Sequence, residues 1–141
     1  MTFGEKVRAA REAKNMSQEQ LAAAIGMSKR MVVYWENDGK LPKSRDVYPR
    51  IANVLGIDVS VLLDDNAEFV IKAAETYGNR GAKQALRLVQ EITGLYAGGE
   101  LEEDDMDAMM KAIQDAYWIA KQKNKRHTNK RYLVKDEPQS E

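Results

Sequence analysis

Apolar residues recur every three or four positions along most of the chain, and glycines and capping residues break the pattern into segments. Phe3, Val7, Ala10 and Arg11 share a helical spacing, which predicts a first helix over residues 3–14, ended by Asn15-Met16. Ser17-Gln18-Glu19-Gln20 reads as a capping box that opens a second helix through Leu21, Ala22, Ala24 and Ile25. Gly26 stops that helix, and Ser28 caps a third that runs to about Asn37. Asp38-Gly39 marks a turn, and residues 40–46 form a loop. Pro49 is tolerated only in a first helical turn, so a fourth helix is expected near Val47–Leu55, with Ile51, Val54 and Leu55 on its apolar face. Gly56 ends it. Asp58 or Ser60 then caps a short fifth helix ending at Leu62-Leu63.

The second half keeps the helical period. Phe69, Val70, Ala73 and Tyr77 stripe residues 67–77, and a break is expected at Gly78-Asn79-Arg80-Gly81. Residues 82–97 carry Ala85, Leu86, Val89, Ile92 and Tyr96, and Gly98-Gly99 breaks the chain again. A long helix is expected from about residues 100–103 to Asn124, striped by Met106, Met109, Met110, Ile113, Tyr117 and Ala120. No segment alternates as a strand would, and no internal repeat is visible. The fold class is therefore all-α: a five-helix domain over residues 1–65, a helical region over 66–124, and a basic, flexible tail over 125–141.

Composition narrows the function. The chain has 141 residues, enough for one domain or a small domain with an appendage. It has no cysteine, which excludes disulfides and thiolate zinc sites and permits a cytoplasmic setting, the localisation expected here. No apolar run approaches the roughly 20 residues that span a bilayer, and no signal-peptide core opens the chain, so no membrane association is expected. The net charge of zero hides a segregation. Residues 1–63 hold ten Lys/Arg against seven Asp/Glu, residues 64–118 five against twelve, and residues 119–141 seven against three. Such asymmetry points to an anionic partner for the head.

The stretch MSKRMVVYWENDGK, residues 27–40, sharpens that inference. Lys29 and Arg30 stand in the first turn of the third helix, where the helix dipole disfavours positive charge. Another partner must reward them. Two short helices joined at Gly26 have the layout of a helix-turn-helix, whose second helix lies in the DNA major groove. Arg30 can grip guanine O6 and N7 bidentately, and Lys29 can reach the same acceptors. Tyr34 lies one turn further along that face. Gln18 and Ser28 stand at helix N-termini, where backbone N–H groups attract phosphate. Val32 and Trp35 fall off this face and belong to the core.

MSQEQLAAAIGMSKRMVVYWENDGKLP, with RIANVLGIDVSVLL behind it, resembles the phage-repressor (Cro/repressor-type) helix-turn-helix family. The resemblance covers roughly residues 3–63. It rests on the Ser-Gln-Glu-x-Leu-Ala start, the glycine before the third helix, the Trp-Glu-Asn end and the Ile-Ala-x-x-Leu-Gly-Ile helix. It implies a transcriptional regulator with Gln18, Ser28, Lys29, Arg30 and Tyr34 at double-stranded DNA, and Asn37, Lys40 and Lys43 near phosphates. It also implies a structural pair between Arg11 and Glu36. The chain departs from the family where Asp38 precedes Gly39 and where Met31-Val32-Val33 is unusually apolar. The second half, with its Gly-Gly, acidic helix start and Tyr-Trp-x-Ala-Lys helix, resembles the C-terminal extensions of regulators on mobile elements.

Other chemistry finds little support. The Glu102–Asp107 acids lack the calcium-loop spacing, and acids at a helix start suit the dipole, so no metal is expected. His127, the single histidine, has no nucleophile context, so neither an enzyme nor a cofactor is expected. The Lys121–Arg131 cations can extend the DNA contacts or simply end a helix. A homodimer is the expected assembly, with the Met/Ile/Tyr stripe of the last helix as its seam. The rival reading is an antitoxin-like or protease-controlled interaction protein whose acidic region 66–124 binds a protein partner.

Overall fold

In the computed structural model, seven α-helices follow one another, and no strand occurs among the described residues. Backbone is described for residues 1–135 and side chains for residues 1–124. The helices are α1 (Phe3–Ala13), α2 (Gln18–Ile25), α3 (Lys29–Asn37), α4 (Val47–Leu55), α5 (Val59–Leu62), α6 (Asp65–Ala97) and α7 (Glu103–Lys135). No helix among the described residues is long and apolar enough to cross a membrane.

The local signals for the first helices act as the sequence implies. Ser17 and Gln20 complete a capping box at α2, and Gly26 closes it at φ 74° in the left-handed region that glycine reaches without strain. The Ser28 hydroxyl accepts from the Met31 N–H at 3.4 Å. At α5 the cap is Asp58, which accepts from the Ser60 N–H at 2.9 Å. The α1 cap comes from Thr2, boxed with Glu5.

Two apolar clusters organise the chain. The first gathers Val7, Leu21, Ile25, Val32, Trp35, Tyr48, Ile51 and Leu62, all 2% exposed or less. Each such large side chain contributes about 1.5–3 kcal/mol on burial. Phe3 meets the rings of Trp35 and Tyr48 edge-on at 5.9 and 5.5 Å. The Tyr48 phenol is buried, which pushes its pKa up, and its hydroxyl donates to the Pro42 carbonyl at 2.7 Å. Gly4 lets α1 close on α3: a Cβ there would lie 2.0 Å from the Trp35 carbonyl oxygen. The cluster does not stop at residue 65. Ala67 and Ile71, on the first turns of α6, are fully buried within it.

The second cluster joins α6 to α7 through Phe69, Val70, Ala73, Ala85, Val89, Ile92, Met110 and Tyr117. Phe69 meets the Tyr117 and Trp118 rings edge-on at 5.3 and 5.4 Å. Leu41, in the loop after α3, packs against both clusters.

Three expectations change here. The break expected at residues 78–81 shrinks to one residue: only Gly78 leaves helical geometry, at φ 73° and ψ −162°, and helix resumes at once. The Tyr117 hydroxyl donates to the Gly81 carbonyl at 3.1 Å, across from the kink. The last helix extends past Asn124 to Lys135, through part of the segment read as a flexible tail; residues 136–141 lie outside the described residues. The long-helix stripe is also divided. Met110 and Tyr117 are buried on α6, with Met106 and Ile113 packed beside them, while Met109 and Ala120 are exposed. The seam assigned to self-association is thus largely occupied within the chain.

Candidate nucleic-acid interface

The position of α3 is set by one buried carboxylate. The Glu36 side chain is 0% exposed, and Arg11 of α1 grips it with two hydrogen bonds, Nε to Oε2 at 2.8 Å and Nη2 to Oε1 at 2.9 Å. Gln18, at the start of α2, donates to Glu36 Oε1 at 3.1 Å. Arg11 Nη1 donates to the Met16 carbonyl at 2.7 Å. Burial alone would raise the Glu36 pKa; the Arg11 and Gln18 hydrogen bonds outweigh it and hold the carboxyl below its ordinary value. The same contacts raise the Arg11 pKa, the Glu36 hydrogen bond acting most strongly. One residue at the end of α3 therefore ties three helices together. The Arg11–Glu36 pair inferred from resemblance is present.

Arg8 was not singled out in the sequence. It lies one turn before Arg11 on α1 and donates from Nε to Glu36 Oε1 at 3.3 Å and from Nη2 to the Asn37 side-chain oxygen. Its spacing of three from Arg11 was the available signal.

The residues expected at DNA fall into two groups. Lys29 and Arg30 are exposed on the first turn of α3 and, among the described residues, make no side-chain hydrogen bond or ion pair. Tyr34 is half-buried one turn on, and the Lys40 ammonium sits over its ring, 4.5 Å from the centroid. Ser28 is held as the α3 cap. Gln18 is half-buried and Asn37 exposed, and each has one side-chain bond to the Glu36 network. Lys43 is set apart on the loop, where its ammonium donates to Asn79 of α6 at 3.2 Å.

Charge pairing separates the head cations in a different way. Lys6, Arg8, Arg11, Arg45 and Arg50 each face a carboxylate within 4.0 Å. Lys29, Arg30, Lys40 and Lys43 face none among the described residues, and Lys14 at the end of α1 is the remaining head cation in that state. Arg45 bridges to Glu68 at 2.8 Å and to Glu75 at 3.8 Å, both on α6. Gln90 of α6 donates to the Asp38 carbonyl at 2.9 Å. The loop after α3 is thus fastened to the second half at three points.

Elsewhere, a cleft of about 690 Å³ opens between the start of α6 and α7, lined by Phe69, Met110 and Trp118, by the carboxylates of Asp64, Asp107 and Asp115 among others, and by Lys72 and Lys111. Among the described residues no group of three or more Asp, Glu or His is arranged to hold a metal ion.

Residues 7–62 match the family described as Helix-turn-helix. The chain is also similar to the immunity repressor protein of Bacillus phage phi105, 26% identical over an alignment of 145 residues that covers 97% of this chain and 99% of the relative. No solved structure matches. Residues 7–62, where Glu36 ties α2 and α3 together, are thus similar to a helix-turn-helix domain, and the chain as a whole is similar to a phage repressor.

Proposed function

We propose that the chain is a sequence-specific DNA-binding transcriptional repressor that docks α3 in the major groove. One observation carries this reading: among the described residues Lys29, Arg30, Lys40 and Lys43, on the first turn of α3 and in the loop after it, have no carboxylate, whereas Arg45 of that loop and most other head cations have one. Unpaired, solvated cations on a helix start are available to phosphate and base edges without breaking an internal bridge. The similarity to a phage immunity repressor supports the same reading.

In this pose Arg30 and Lys29 address base edges, and Tyr34 offers a ring face and a hydroxyl. Gln18 retains one amide proton beyond its bond to Glu36, and Asn37 retains its whole NH₂ group, so both can still donate to phosphate. Ser28 presents the α3 N-terminus, and Lys40 and Lys43 flank the groove. Binding would exclude polymerase from the promoter. Two copies, with recognition helices about 34 Å apart, would read a two-fold operator.

The test is selection from a random-sequence DNA pool with the full chain at near-physiological salt. An enriched two-fold motif with half-sites about ten base pairs apart supports the reading. Weak, salt-sensitive binding with no enriched motif would overturn it. A second reading, a protein partner at residues 66–124, is favoured by the cleft between α6 and α7, whose lining holds five carboxylates against two lysines. It predicts a basic partner retained by the wild type and lost from Asp107→Lys.

A further inference from the structure

A strip of α7 beside its contact with α6 is exposed yet apolar. Met109 is 39% exposed and Ile119 66% exposed, and Ala112 and Ala116, between them, are both exposed. Their spacing, three then four then three, is that of a coiled-coil seam, and it continues outward to Asp105 and Lys123, also exposed. This seam lies about a third of a turn around α7 from the Met110–Tyr117 face that packs on α6.

We propose that this outer seam is a self-complementary interface on which α7 of a second copy lies antiparallel. The proposal rests on the dimeric part of the reading above and supplies its surface. The register is fixed by the sequence. With a two-fold axis level with residue 114, positions equally far from it on either side meet across the pair. Met109 then faces Ile119, Ala112 faces Ala116, and Asp105 faces Lys123. Every layer joins one position of the three-four repeat to the other, as antiparallel helices require. The two central alanine layers let the helix axes approach to about 8 Å, and the larger side chains fill the ends. A parallel pairing would set Asp105 against Asp105 and Lys123 against Lys123, so charge selects the antiparallel direction. The wider charge pattern agrees: α7 opens with Glu103, Asp104 and Asp105, and the chain from residue 119 onward is basic. From Asp105 to Lys123 the contact spans about 27 Å of helix.

The experiment uses the full chain without DNA, in sedimentation velocity and in thiol cross-linking. Wild type should sediment as a dimer at about 100 µM. Asp105→Lys and Lys123→Asp should each weaken association about tenfold or more, and an equimolar mixture of the two should regain it, because both cross-pairs become attractive. The chain has no cysteine, so single thiols report directly. Met109→Cys mixed with Ile119→Cys should form disulfide dimers under mild oxidant, while each alone should not. Circular dichroism confirms that each variant is folded. A wild-type monomer at that concentration, variants that associate as wild type does, or Met109→Cys cross-linking to itself as fast as the mixture would overturn the interface. None of those results would touch the DNA-binding reading, which the selection experiment tests separately.

Discussion

Replacing Arg11 by methionine keeps the aliphatic stem and removes the cation that holds Glu36. The carboxylate left behind is 0% exposed and retains only Gln18 at 3.1 Å and Arg8 at 3.3 Å. Removing one partner of a buried pair costs about 3–5 kcal/mol, because the other charge remains desolvated. The two surviving donors argue for the lower end, and the Met16 carbonyl, which loses the Nη1 donor, adds about 1 kcal/mol. Arg11→Met should therefore destabilise the chain by about 3–4 kcal/mol at pH 7, read by urea denaturation followed through helical circular dichroism. Acid provides an internal check. In the wild type the Glu36 pKa is lowered from 4.5, so its contribution is complete above that value and is lost as pH falls through the folded pKa. In the variant, burial dominates and raises the carboxyl, so protonation relieves the strain. The gap between wild type and variant should narrow on acidification. The double variant Arg11→Met/Glu36→Leu should recover most of the loss, since apolar side chains can replace a buried pair. A gap below about 1 kcal/mol at pH 7, or one that widens in acid, would refute the claim that this pair positions α3.

Arg30→Ala should cost about 1–3 kcal/mol at a cognate site and relax one base position, with no change in melting temperature; selection with the variant reads both. Lys43→Ala should weaken all sequences alike and reduce the salt slope by about one, measured by fluorescence anisotropy across a salt series. Gly4→Ala should destabilise by about 3 kcal/mol, because the added Cβ meets the Trp35 carbonyl and the backbone of α3, and wild-type thermal stability would contradict this. Gly78→Ala meets no atom within 4 Å, so its cost is conformational alone, about 1–3 kcal/mol for a φ and ψ open only to glycine.

The head was legible because its signals are local. Ser17, Gly26, Ser28 and Gly56 cap or close helices within one turn of themselves, and the Leu21, Ile25, Val32 and Ile51 spacing states which faces are apolar. The second half was less legible because periodicity there supports two faces. On α7, Met109 and Met110 are sequence neighbours, yet one is exposed and the other buried, and only the placement of α6 decides which. The glycine-rich break at 78–81 misled for a related reason: Gly81 is helical and buried under the Tyr117 hydroxyl, a partner 36 residues away. At the site, the exposed cations Lys29 and Arg30 declared themselves by opposing the helix dipole. Arg8 and Arg45 did not, because their carboxylates come from other helices.

The sharing of α6 between the two apolar clusters has a consequence for how the molecule comes apart. Ile71 fills the head while Phe69 and Val70, its neighbours, fill the second cluster, and Leu41 reaches back from the loop to both. A helix cannot melt in one cluster and persist in the other over adjacent residues, so the two halves should open as a single cooperative unit, with one protection level in hydrogen exchange rather than two. An excised 1–65 fragment would lack Ala67 and Ile71 and carry a void where they sit. Anything that stabilises or loosens α7 is then felt, through α6, as a change in the population of heads competent to bind.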